Sequence, residues 1–182
     1  MNRRDALKAT TAILGGVLFA SSGVLAACAR ERSAEATGIL SPDDQLLAEE
    51  FADTLLPTTA ASPGAKAAGV GAAMNLLLTD CYAADEQQRV VNGLEELRAK
   101  CRDRCGGGFA SMTRADREQL LRGIDAEART AGDEHWYGPL RDLAQQAYFS
   151  SEIGMTRALR YVQTPGRWEG CVPLEPGQPA WA

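Results

Sequence analysis

The sequence predicts an all-α fold: a small bundle of about five helices, an extended Pro/Gly-rich C-terminal tail, and an N-terminal signal segment. Three observations carry that expectation. Apolar residues recur every three or four positions in successive segments, the period of a helix with one buried face. No segment sustains the apolar–polar alternation of a strand, and no Asn-Gly or Asp-Gly hairpin sits between β-branched runs. Aromatic residues make up only 6% of the chain while alanine is abundant, a balance that favours helix over sheet. A length of 182 residues fits one domain after the signal.

Residues 1–27 are an address rather than part of the fold. Arg3, Arg4, Leu7 and Lys8 precede the apolar run from Ala12 to Ala20, which is short for a membrane span. The paired arginines with Leu7 and Lys8 resemble a twin-arginine export signal, with Ala6 where a larger apolar residue is usual. Leu25-Ala26-Ala27-Cys28 looks like a lipobox, which makes Cys28 the candidate for lipidation and for a membrane anchor. Residues 28–39 then read as a polar tether, and residues 40–182 as the helical domain. Arg3, Arg4 and Lys8 leave with the signal against one acid, Asp5, so the net charge moves from −5 to −7. An acidic chain of this kind lacks the clustered cations that nucleic-acid binding needs.

Ser41-Pro42-Asp43-Asp44 predicts the first helix start: a capping hydroxyl, a proline at the first helical position, and two carboxylates at the positive end of the dipole. Leu47, Phe51 and Leu55 form its face, and Pro57 stops it. Burying each such side chain contributes about 1.5–3 kcal/mol. The turn-rich connection from Pro57 to Gly69 carries a single charge, Lys66, expected to be solvated. Val70, Met74, Leu77, Leu78 and Cys81 mark a second helix. Asp85 is expected to cap a third, running to Arg104 with Val90, Leu94, Leu97 and Cys101 inward. Gly106-Gly107-Gly108 ends it and does not resemble a phosphate loop, since no strand precedes it and no Gly-Lys-Ser/Thr follows. Thr113 with Asp116 caps a fourth helix, whose face is Leu120, Leu121, Ile124 and Ala128.

Pro139 is expected to open the last helix, with Leu140, Leu143 and Ala147 inward. The same spacing runs on through Ile153, Ala158 and Tyr161, so this helix is predicted to continue until Pro165-Gly166. Beyond it, Gly170, Pro173, Pro176, Gly177 and Pro179 keep the chain extended. Trp168, Val172 and Trp181 lie on this segment, which cannot pair its own backbone, Tyr161 stands just before it, and such groups need a surface. They are the candidate partner contacts.

If Cys28 is lipidated, four cysteines remain, an even number that favours disulfides in an exported chain. Three pairings are possible, and the favoured one is Cys101–Cys105 with Cys81–Cys171 pinning the tail. One histidine does not supply a zinc set, so no metal is expected. Catalytic chemistry is also missing. His135 is the only histidine, and no serine sits in a nucleophile elbow. Glu152 is expected to pair with Arg157 or Arg160 rather than act as an acid. There is no Gly-x-Gly-x-x-Gly after a strand and no Cys-x-x-Cys-His, so neither a dinucleotide nor covalent haem is expected on this chain.

Phe51 to Pro57, Pro63 to Val70, and Tyr148 to Gly154 with its continuation through Tyr161 to Leu174 form three stretches that resemble the gluconate 2-dehydrogenase subunit 3 family, the small subunit of bacterial flavin-dependent sugar and alcohol dehydrogenases. The resemblance implies a non-catalytic accessory subunit of an oxidoreductase complex. It would carry the export signal for a glucose-methanol-choline-type large subunit that holds FAD. It implies passage through the twin-arginine translocase to the periplasm, and in some complexes a cytochrome c subunit. The rival expectation is a stand-alone exported lipoprotein serving as a scaffold or ligand binder.

Overall fold

A computed structural model describes residues 38–164, 166, 171–173 and 175–181. The export signal (Arg3, Arg4, Leu7, Lys8), Cys28, the tether up to residue 37 and Trp168 lie outside the described residues. The described part is all-α, with five long helices: α1 (Pro42–Leu55), α2 (Val70–Cys81), α3 (Ala84–Cys105), α4 (Arg114–Ala131) and α5 (Tyr137–Phe149). Short 3₁₀ turns occupy Phe109–Ser111 and Gly132–Glu134, and a π-helical turn spans Gly154–Ala158. None of the described residues forms a strand; Arg160 and Trp181 share one isolated β-bridge. No helix among them is long and apolar enough to cross a membrane.

Local chemistry sets most helix ends. Ser41 caps α1: its hydroxyl accepts from the Asp44 N–H at 3.1 Å while the Asp44 carboxylate accepts from the Ser41 N–H at 3.3 Å. Asp44 also pairs with Arg98 on α3 at 2.5 Å. Burial pushes the Asp44 carboxyl up, but its bonds to Ser41 and Arg98 prevail and hold it below the usual range. Thr113 caps α4 by accepting from the Asp116 N–H at 3.2 Å. Asp85 does not cap α3. The helix begins at Ala84, and the Glu86 carboxylate reaches back to the Ala83 N–H at 3.3 Å, so the third residue of the helix does the capping work. Pro139 lies within the first turn of α5, not at its start.

The core joins all five helices. Phe51, Met74, Leu78, Leu94, Leu97, Ile124, Leu140 and Leu143 are its largest fully buried apolar side chains. Helices α1 and α5 each touch all four others, and the Phe51 and Tyr137 rings meet edge-on at 5.9 Å where the two approach. Gly93 on α3 lets α5 close in: a Cβ there would stand 2.7 Å from the Trp136 ring. A single polar side chain is buried among the described residues, Asn75. It bonds the backbone of Leu40 in both directions and donates to Gln45, which fixes the entering chain to α2.

The predicted continuation of α5 is not found. The helix stops at Phe149, Ser150 and Ser151 turn the chain, and a separate π turn follows. Ser151 holds this break, donating its hydroxyl to the Tyr148 carbonyl at 2.6 Å and accepting the Gly154 N–H at 3.0 Å. The apolar spacing persists across the break, which is why the sequence pattern alone reads through it.

Candidate functional site

The three stretches that carry the family resemblance meet in one corner of the bundle. The first is the end of α1. Its Asp53 carboxylate accepts the Lys66 N–H at 3.1 Å. The second is the loop from Pro57 to Gly69, folded back by the Ala65 N–H donating to the Leu56 carbonyl at 2.8 Å. Gly64 passes so close to α1 that a Cβ would lie 2.5 Å from the Thr58 nitrogen and 2.8 Å from Asp53. The third is the end of α5. The Tyr148 hydroxyl donates to the Pro63 carbonyl at 2.6 Å and lies 2.7 Å from the Ser62 hydroxyl. Directly after it, Gly154 sits where a Cβ would be 1.9 Å from the Tyr148 carbonyl oxygen.

Lys66 is the solvated loop lysine expected from the sequence, 56% exposed, but it has a partner. Its ammonium pairs with Glu50, and the other Glu50 oxygen takes Arg117 of α4 at 2.8 Å. Arg117 also lies over the Phe109 ring, 5.7 Å from its centre. The Lys66 hydrogen bond holds the Glu50 carboxyl below its ordinary value; burial opposes this and Arg117 reinforces it. One carboxylate thus ties the loop to α1 and α1 to α4. The signal was present in the sequence: Glu50 and Asp53 stand one helical turn apart, beside a loop with a single cation.

Past this corner the chain faces outward. Tyr161, Val172 and Trp181 are each close to half exposed. Trp181 is nevertheless engaged. The Arg160 N–H donates to the Ala180 carbonyl at 2.8 Å, and the Arg160 guanidinium stacks 4.1 Å from the Trp181 ring centre. Arg160 therefore holds the tail, and neither it nor Arg157 pairs with Glu152. The Thr156 hydroxyl donates to the Glu152 backbone carbonyl at 2.6 Å.

The expected bridges Cys101–Cys105 and Cys81–Cys171 are not formed; all four cysteines are free thiols in the structure. The reason at the first pair is directional. Cys101 points into the core, where burial pushes its thiol up to about 11, while Cys105 is exposed and donates to the Cys101 carbonyl at 3.1 Å in an intact helical turn. Cys81 and Cys171 are both exposed.

His135 stacks on Trp136, with ring centres 5.3 Å apart, and its Nδ1 accepts the Tyr137 N–H at 3.1 Å. Its ring nitrogens and the carboxylates of Glu96 and Glu127 come within 4.8 Å of one another. Lys100 already pairs with both carboxylates, at 2.8 Å and 3.6 Å. The Nδ1 lone pair is already spent on the Tyr137 N–H. Lys100 offsets one of the two carboxylate charges.

Comparison with curated proteins and with solved structures returned no significant match. A family match, described as gluconate 2-dehydrogenase subunit 3, spans residues 42–166. It runs from the first residue of α1 past the π turn and so takes in the whole stitched corner. The chain belongs to the gluconate 2-dehydrogenase subunit 3 family.

Proposed function

We propose that this chain is a non-catalytic small subunit of a membrane-associated, flavin-dependent dehydrogenase complex. It acts as twin-arginine export escort and as assembly partner for the flavoprotein, with its C-terminal tail as part of the docking surface. The observation that carries this is how the polar groups of the family-matched corner are used. Glu50, Asp53, Lys66 and Tyr148 are each spent on partners within the chain, while Tyr161, Val172 and Trp181 face out. Such a chain is built to be held and to hold, and the chemistry belongs to the partner. FAD is carried by the glucose-methanol-choline-type large subunit, and electrons leave through a cytochrome c subunit where one is present. Arg3, Arg4, Leu7 and Lys8 address the complex to the twin-arginine translocase, and Cys28 anchors it in the periplasm.

Two experiments test this. Tagged chain from the native host should co-purify with a flavoprotein that lacks its own signal, and replacing Arg3 and Arg4 by Lys should strand that flavoprotein in the cytoplasm. Unchanged export of the flavoprotein by the lysine variant would sink the escort role. Removing Glu175–Ala182 should weaken the complex and leave the bundle folded; an unaltered complex would remove the tail from the docking surface. One observation favours the rival reading, a stand-alone lipoprotein: Trp181 already rests on Arg160 of its own chain. That reading predicts no flavoprotein in the purified material.

A further inference from the structure

A bipolar groove runs along one side of α4, adjoining the corner just described at the end of α1. Two adjoining cavities, of about 510 and 580 Å³, share Asp125, Arg129, Tyr137 and Arg141 as a common wall. The smaller is closed by the end of α1 and carries Arg114, Arg122, Arg129 and Arg141 against only Glu118 and Asp125, an excess of two positive charges. The larger reaches the start of α3 and carries Glu86, Asp125, Asp133 and Asp142 against Arg129 and Arg141, an excess of two negative charges. Leu55, Pro57, Leu121 and Tyr137 add apolar lining to the cationic half.

The positive half is unusual on a chain of net charge −5. Arg141 is taken up by Asp142, through Nε and Nη2 at 2.9 and 2.8 Å, but the other guanidinium groups are not used up. Arg114 and Arg122 share the single carboxylate of Glu118, at 2.9 and 3.4 Å, and Arg129 spends one nitrogen on Asp125 at 2.7 Å. The side chains of Arg122 and Arg129 are 80% and 79% exposed. Each retains N–H donors suited to a further carboxylate.

We infer that this groove receives a polypeptide segment of the dehydrogenase partner, acidic where it lies over Arg114 and Arg122 and basic where it lies over Glu86 and Asp133. The inference rests on the subunit reading for the identity of the partner. Charge complementarity selects the occupant. From Arg114 to Arg129, in the wall that both cavities share, is fifteen residues of helix, about 22 Å, so a ligand reaching from Arg114 into the acidic half is longer than a small zwitterion. A nucleic-acid backbone is repelled by the acidic half. A segment with its charges in two blocks meets both halves at once and in one direction only, which fixes register as well as affinity.

The test separates the groove from the partner. A fluorescent synthetic peptide of about twelve residues, glutamates in one half and lysines in the other, is titrated at low salt against the full chain. A peptide of the same composition with alternating charges is the control. The block peptide should bind about tenfold tighter than the control, and the double variant Arg114→Glu, Arg122→Glu should erase that advantage while retaining wild-type helicity by circular dichroism. Equal binding of the two peptides, or an advantage that survives the double variant, overturns the groove. In a parallel arm the same variant is co-expressed with the flavoprotein. Wild-type recovery of flavoprotein on the variant overturns the groove as its dock. Absence of flavoprotein on the wild-type chain overturns the subunit reading instead, and the peptide arm still decides the groove.

Discussion

Replacing Glu50 by Gln removes one negative charge from the point where α1, α4 and the Pro57–Gly69 loop are tied. The size of the effect follows from exposure. The Lys66 side chain is 56% exposed, so its pair with Glu50 is worth little, about 0–1 kcal/mol. Arg117 and Glu50 are only 18% and 19% exposed, and the Arg117 Nε is buried with no hydrogen-bond partner among the described residues. A charge-assisted bond in that setting is worth roughly 1.5–3 kcal/mol, and the amide of Gln recovers part of it. The expected loss is about 2 kcal/mol, or roughly 4–8 °C in melting temperature for a chain of this size. Calorimetry or a urea melt measures it, and a cycle with Arg117→Gln should give coupling above about 1 kcal/mol. The pH dependence has a definite sign. The folded Glu50 carboxyl lies below its ordinary value of 4.5, so its contribution is complete above that value and is lost as pH falls through the folded value. The gap between wild type and variant should stay constant from neutral pH down to about 5.5 and close in acid. A variant melting within about 1 °C of wild type, or a gap that widens in acid, would refute the assignment.

Other substitutions probe the same frame. Gly154→Ala places a methyl against the Tyr148 carbonyl and should cost about 1–3 kcal/mol in a urea melt, with the π turn losing protection from hydrogen exchange. Tyr148→Phe removes the shorter of two side-chain donors to the Pro63 carbonyl, leaving the Ser62 hydroxyl at 3.1 Å, and should cost about 1–2 kcal/mol, seen as faster exchange across residues 57–69. Gln87→Ala frees the carbonyls of Leu78, Thr79 and Tyr82, all held by one side-chain amide, and should fray the end of α2 in exchange measurements while α4 stays protected. Trp181→Ala should speed exchange of the Arg160 amide, whereas Trp181→Phe, which keeps an aromatic face for the guanidinium, should retain most of the protection.

What could be read from the sequence was what depends on near neighbours. Ser41 with Asp44 and Thr113 with Asp116 declare two helix starts within four residues, and both are found. The inward faces predicted for α1 and α3 are buried at Leu47, Phe51, Val90, Leu94, Leu97 and Cys101, because one helix period generates one face. The misses all involve groups distant in sequence or competing locally. Lys66 finds Glu50 sixteen residues away, and Tyr148 finds Pro63 eighty-five residues away. At Ser150–Ser151 the hydroxyls compete with the helix for the carbonyls of Gln146 and Tyr148, and the apolar spacing gives no sign of it. Asp85 had the right composition for a cap, but Glu86 stands at the position from which a side chain reaches back.

The break after α5 does more than end a helix. Had the helix continued, Tyr161 would have carried the apolar face three turns further and the tail would have left from its end. Instead the chain turns within two residues of Tyr148, the residue that locks the loop, and the π turn brings it to Arg160, the residue that holds Trp181. The root of the tail is thereby fixed to the same corner as α1 and the loop. A partner that grips Tyr161 or Trp181 steadies the chain that carries the Tyr148–Pro63 bond and, through the loop, Glu50. Binding of such a partner should slow exchange across residues 57–69 even where it makes no contact, and Tyr148→Phe should uncouple the two.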